Sequence, residues 1–330
     1  MLKVYAYDAG QGDCLHIRFF GKSGTYHNIL VDSGTSRFGR DFIKLCCDIR
    51  HAGEHIDVLF ITHTDVDHLG GLLYAVNHKI IIQVDKIIMN HPKTLPTHSN
   101  IHTPLSASQA NAIVNCLADL NTHITHGLQG DTIELDGALI QILNPAQEQV
   151  ETVFPAFVQN TPLGTIDDRN VSLEELMERP LPGGDTSISN RVSIVFVLEY
   201  EGKRLLFTGD AWSCDLLKGI QNYAAVRKEK TFPIHFDMVK LPHHGSARNL
   251  SEEWPQVLWG KSYILCADGR RHPSKQTIAK LLHWYGTIEI VSSRAWWNSG
   301  YFSVQEKEKF VRSNKLCLIL SKEEGKVSDG

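Results

Sequence analysis

Thr62-His63-Thr64-Asp65-Val66-Asp67-His68-Leu69-Gly70-Gly71 follows directly on the strand-forming run Asp57-Val58-Leu59-Phe60-Ile61. Four potential metal ligands, His63, Asp65, Asp67 and His68, therefore sit at the end of a predicted buried strand, which delivers them to one point at a sheet edge. His63 and Asp65 are two apart and project the same way while the chain stays extended. Asp67 and His68 are expected at the turn, with Gly70-Gly71 letting the backbone fold into a following helix. Imidazole and carboxylate together suit zinc, iron or manganese, and the absence of a nearby cysteine argues against a structural zinc site. A solvated polar loop would account for one such histidine, not for this concentration.

The bulk composition is that of an ordinary globular chain. At 330 residues it can bury a substantial core, with 42% hydrophobic and 21% charged residues. A net charge of −4 gives no global attraction to nucleic acid, so any phosphate contact must come from a local patch. No apolar stretch is long enough for a membrane span and no signal-peptide pattern opens the chain. The seven cysteines are scattered, without C-x-x-C spacing, which predicts reduced thiols and a cytoplasmic protein. Cys46 and Cys47 read as packing residues of an amphipathic helix.

Short β-type runs at Leu2–Tyr7, Cys14–Phe20 and Asn28–Val31 alternate with glycine turns. Helices are predicted over Asp41–Arg50, Gly70–Asn77, Ser106–Leu120 and Lys275–Trp284, and a hairpin over 132–143 around Asp136-Gly137. The β pattern breaks between residues 145 and 184, where Ser172 with Glu175 three positions on marks a short helix. That segment reads as an insertion able to lie over a site as a lid. Further strands are expected at Val192–Tyr200, Lys203–Phe207, Met238–Leu241, Tyr263–Cys266, Ile288–Val291 and Leu316–Leu320, ahead of a charged tail, 322–330. Meanders that give way to strand–helix alternation in both halves predict an α/β fold: two mixed sheets face to face with helices outside, one domain over residues 1–321.

Four more segments end a predicted strand with ligand-type residues: Val31-Asp32-Ser33-Gly34, Phe207-Thr208-Gly209-Asp210, Pro242-His243-His244-Gly245-Ser246 and Asp268-Gly269-Arg270-Arg271-His272-Pro273. Any one alone reads as a turn. Five in one chain point to a shared site. His91, His98, His102, His123 and His126 lack strand-end context and read as surface residues. Trp296-Trp297 reads as core or interface.

This set resembles the metallo-β-lactamase fold superfamily, whose signature is H-x-H-x-D-H followed by spaced His, Asp and His ligands. Gly10-Gln11-Gly12-Asp13, Asp32-Ser33-Gly34, Asn190-x-x-Ser193, Phe207–Asp210, Pro242–Ser246 and His272-Pro273 look most like the hydrolase domain of the bacterial DNA-uptake protein ComEC and its stand-alone relatives. The resemblance implies one metal site of Asp67, His68 and a later histidine, with Asp210 bridging to a second. That other site keeps His63, while Asp65 stands where the family has histidine and Asp185 and Asn190 stand near its missing third histidine. An oxygen-richer site shifts preference from zinc toward manganese or magnesium, so one or two divalent ions are expected. His244 is the preferred late ligand, with His272 as its competitor and His243 as a proton donor at the substrate. Asp32 and Asn190 are expected to orient the ligands.

A metal held this way lowers the pKa of bound water from about 16 to about 7, supplying hydroxide at neutral pH. Asp67 is expected to hold that nucleophile and His243 to protonate the leaving group. The fold serves several ester chemistries. The family likeness, with Arg248, Arg270, Arg271 and Lys275 after the late histidines, favours a phosphodiester substrate, nucleic acid included; Ser246, Arg248 and Arg271 are the expected contacts. The alternatives are a hydrolase of a small ester or diester (phosphocholine-type or lactone) and a low-turnover metal scaffold. The resemblance also implies a partner protein in a multi-component bacterial system, while the lack of a spanning apolar stretch predicts no membrane association.

Overall fold

The computed structural model describes residues 1–91, 123–153 and 167–321. Fourteen strands among them form two sheets. The first is ordered β1 (Leu2–Ala6), β2 (Leu15–Phe20), β3 (Tyr26–Val31), β4 (His55–Ile61), β5 (Lys86–Met89) and β6 (His123–Thr125). Its first two pairings are antiparallel and the remaining three parallel. The second runs from β14 (Leu316–Leu320) through β13 (Ile288–Ser292), β12 (Leu258–Leu265), β11 (Ile234–Lys240), β10 (Lys203–Phe207) and β9 (Val195–Tyr200) to the hairpin of β8 (Ala138–Asn144) and β7 (Thr132–Leu135). It is parallel from β14 to β10 and antiparallel beyond.

The sheets face each other because their central strands are apolar on both sides. Val58 and Phe60 of β4 join the layer between the sheets, where Phe60 stacks on Phe196 at 4.3 Å. Leu59 and Ile61 point the other way, into helices α1 (Gly39–His51) and α2 (Val66–Asn77). This two-sided burial is why the run reads as continuously apolar rather than alternating. The outer face of the second sheet is covered by the helices Ser213–Arg227 and Lys275–Tyr285, through Leu216, Ile220, Ile278 and Leu281. Helices therefore enclose both sheets, as expected from the strand–helix order.

Several expectations need correction. The helix after the ligand run starts at Val66, so Asp67 and His68 sit in its first turn rather than at a preceding bend. Gly70 and Gly71 lie inside that helix, where a Cβ would overlap the Ser36 nitrogen and the Ser33 carbonyl oxygen. They are there for close approach to the β3 loop, not to bend the chain. Cys47 is exposed while Cys46 packs, since only one of two adjacent residues can face the sheet. His91 is buried at the end of β5. The helix expected over 106–120, His98, His102 and the tail lie outside the described residues. Helix Ser213–Arg227 was missed because Gly219 interrupts its apolar pattern; that glycine touches Leu143 of β8.

The described part of the segment expected as a lid, 167–184, is packed into the outer layer. Leu173 and Leu176 are fully buried, Asp168 accepts the Gln276 N–H at 2.8 Å, and Lys275 donates to the Val171 carbonyl at 2.7 Å. Ser172 caps the helix Leu173–Glu178 as its spacing predicted.

His27 ties the two sheets together. Its ring nitrogens lie 2.7 Å from Asp57 and 3.0 Å from Asp136, the latter in the β7–β8 turn. Burial alone would lower its pKa, but the hydrogen bonds to the two carboxylates outweigh it and the net shift is upward. A raised folded-state pKa stabilises fully below the unfolded value near 6.5 and is lost as pH rises through the folded one. The stability gap between wild type and His27→Gln is thus expected to be widest near pH 6 and to shrink toward pH 9. A gap that stays constant in thermal melts would show that the imidazolium contributes nothing.

Candidate metal centre

The five ligand-type segments meet at one edge of the sandwich because each follows the carboxyl end of a strand: β3, β4, β10, β11 and β12. Two further residues join from the start of antiparallel strands at the same edge. Asp13 precedes β2, whose Leu15 pairs with Val31, and Ser193 precedes β9, whose Phe196 pairs with Phe207.

Three imidazoles present the same atom. The His68 Nδ1–H donates to Asp32 at 2.8 Å, and the His244 Nδ1–H donates to Asp13 and to the Cys266 carbonyl, both at 3.0 Å. Nδ1 of His63 lies beside the hydroxyls of Thr62 (3.2 Å) and Ser193 (3.3 Å). In each the Nε2 atom is buried without a hydrogen-bond partner. Fixing one ring nitrogen by a hydrogen bond leaves the other lone pair for a ligand. Oδ2 of Asp210 lies 3.4 Å from Nε2 of His68, 3.7 Å from that of His244 and 3.8 Å from that of His243. Oδ2 of Asp67 is 3.4 Å from the His244 Nε2. The ligand atoms of His63, His68 and Asp210 fall within 4.8 Å of one another, as do those of Asp67, His68 and His244. Buried lone pairs without partners, in a set of imidazoles and carboxylates, fit one or more divalent cations.

Local backbone explains how neighbours reach one point. Adjacent His243 and His244 would diverge in extended chain, yet both have positive φ (47° and 53°). This left-handed backbone is rare outside glycine and concentrates at functional sites. It brings both Nε2 atoms to the same Asp210 oxygen. Asp32, also left-handed (φ 59°), accepts from the N–H and hydroxyl of Thr62 as well as from His68. It therefore ties the end of β4 to the first turn of α2.

The field of the site is strongly coupled. Burial would raise the Asp210 carboxyl, but His68, His244 and His243 hold it well below the ordinary range. Burial would lower His244, but Asp13 and Asp210 outweigh it and push it up, so a proton and a divalent cation compete for its Nε2. His272, crowded by burial and by His243 and His244, is pushed down to about 3 and stays neutral. Its ring centre is 5.2 Å from that of His243, and it joins none of the ligand groups among the described residues.

Asp65 lies 3.7 Å from His63 but is partly exposed, accepts from Ser189 at 3.0 Å and joins no ligand group among the described residues. Asp185 and Asn190 both contact Nδ1 of His243, at 3.1 and 3.2 Å. They hold that ring rather than forming a further ligand pair. Ser246 is buried and caps the Ala247–Asn249 turn, and the Arg248 guanidinium donates to the Gly183 carbonyl at 3.0 Å. Both are occupied by the fold. Arg271 is exposed beside His272. Sequence reasoning gave no role to Asp13 and overlooked Lys240. A lysine closing a buried strand immediately before Leu241-Pro242-His243 was the available signal.

The site and fold define a class of metal-binding, hydrolase-like proteins. The family model described as the metallo-beta-lactamase superfamily matches residues 8–84, which span the ligand run. Among solved structures the chain is similar to CmlA, a diiron beta-hydroxylase from Streptomyces venezuelae, at 14% identity and TM-score 0.41, covering 97% of this chain and 53% of that one. The chain thus spans about half the length of CmlA. It is similar to the metallo-beta-lactamase fold protein YhfI from Bacillus subtilis at 11% identity and TM-score 0.40, covering 99% and 98% of the two chains. The zinc-bound PqqB from Methylobacterium extorquens is similar at 14% identity and TM-score 0.42, covering 93% and 85%. A search of curated proteins gave no match. No helix among the described residues is long and apolar enough to cross a membrane.

Proposed function

We propose that this protein is a metal-dependent phosphodiesterase, with nucleic acid in its substrate range. The observation that carries this reading is the convergence of buried, partnerless Nε2 atoms from His63, His68 and His244 with the carboxylates of Asp210 and Asp67. A divalent ion held by these residues would activate water near neutral pH and neutralise charge on a phosphoryl oxygen.

The chain's own groups are placed for the remaining tasks. The His243 side chain is 28% exposed, the most open of the imidazoles around Asp210, with Nδ1 fixed by Asp185. Its Nε2 is free to carry a proton to a leaving oxygen. Asp67 is also part-exposed. A cleft of about 490 Å³ beside it is lined by Gln11, Arg37, Val66, Arg270 and Arg294, which supplies guanidinium groups for phosphate oxygens. Arg270 and Arg294 also face Asp268 and Asp8, which moderates the charge of the cleft. A second reading, a small ester or diester substrate, is favoured by the engagement of Arg248 and Ser246 within the fold. A cytosolic setting and a protein partner within a multi-component bacterial system remain part of the proposal, resting on the free cysteines and the family likeness.

Metal analysis tests the reading first. Purified protein is expected to carry one or two ions per chain, to hydrolyse bis-p-nitrophenyl phosphate, and to lose both stability and activity in chelator. Absence of turnover with zinc, manganese and magnesium would overturn it. Cleavage of oligonucleotide against the small diester separates the two substrate readings.

A further inference from the structure

Lys240 closes β11 with its side chain 1% exposed, inside the cluster of ligands. Its ammonium pairs with the Asp13 carboxylate, donates to the Gly209 carbonyl at 2.9 Å and lies 3.7 Å from Oδ1 of Asp210. Asp210 is therefore divided: Oδ1 faces the ammonium and Oδ2 faces three imidazoles. Asp13 is divided too, with one oxygen toward Lys240 and the other on Nδ1 of His244. The loop carrying it is fixed by its N–H on the Asp67 carbonyl at 3.2 Å and by its carbonyl, which accepts from Gly34 at 2.7 Å.

A buried carboxylate without a countercharge is strongly destabilising. Exchangeable ions cannot hold such a site in shape before they arrive, whereas a lysine in the chain can. We propose that Lys240 is the resident cation of this centre, a positioning residue that balances Asp13 and Asp210 and keeps His244 aimed at the cluster before any ion binds. The inference rests on the cluster being a metal site, and metal content of the wild type tests that separately.

The test is thermal unfolding of wild type, Lys240→Met, Asp13→Asn and the double variant, each in chelator and in saturating zinc. Lys240→Met is expected to lose on the order of 10 °C in chelator and distinctly less with zinc, because the ion then supplies the missing charge. Adding Asp13→Asn removes the stranded carboxylate, so the double variant should regain part of the loss. A lysine that acts only by packing would give equal losses in both conditions and additive losses in the double variant, and that result overturns the proposal. Should Lys240→Met fail to fold even with zinc, recovery of folding on adding Asp13→Asn supports it and continued failure rejects it. A wild type that binds no ion and is unmoved by zinc would instead refute the metal reading.

Discussion

Asp210→Asn is expected to strip the centre of most of its bound metal and to lower phosphodiester hydrolysis roughly a thousandfold, the loss that follows removal of a preorganised charge. One oxygen of this carboxylate lies 3.4–3.8 Å from the Nε2 atoms of His68, His243 and His244, which puts its charge at the meeting point of three imidazoles. Asparagine keeps the shape and leaves the backbone contacts intact: the N–H to Ser193 at 3.1 Å and the carbonyl accepting from Asn249 at 3.1 Å. The variant should therefore fold. Full metal content with turnover within tenfold of wild type would remove Asp210 from the central role.

Gly71→Ala is expected to destabilise the fold by about 2–3 kcal/mol, the upper range for overpacking a tight contact. The sign is the informative part, since glycine to alanine within a helix ordinarily gains about 1 kcal/mol. Here the new Cβ overlaps the Ser33 carbonyl oxygen and comes within 3.0 Å of the Phe42 ring. The Ser33 N–H donates to the His68 carbonyl at 2.6 Å, and its hydroxyl accepts from Leu72 at 3.0 Å, so α2 and the β3 loop move together. Pushing them apart should displace His68 and reduce metal content as well. Denaturant unfolding and metal analysis of the variant measure both effects; unchanged or increased stability would show that the helix can shift at no cost.

Much of the fold was legible because its signals are local. β10, with its Glu201-Gly202 turn, and β14 fall where their apolar runs place them, and the hairpin turn at Asp136-Gly137 has the positive φ its residue types favour. The start of α2 was misplaced because a glycine pair reads as a bend. Its purpose is contact with a loop some 35 positions away, which no local window contains.

The site divides along the same line. His63, Asp67, His68, Asp210 and His244 are identifiable from the sequence because ligand chemistry restricts the residue types, and a position after a strand aims them at one edge. What only the tertiary structure decided was their mutual arrangement. Left-handed backbone turned His243 and His244 toward one carboxylate, Ser246 and Arg248 were taken up by the fold, and Asp13 met Lys240 across more than two hundred residues. Residue type and spacing carry chemistry and direction, but burial and charge balance are properties of neighbours in space, and those exist only once the two sheets have packed.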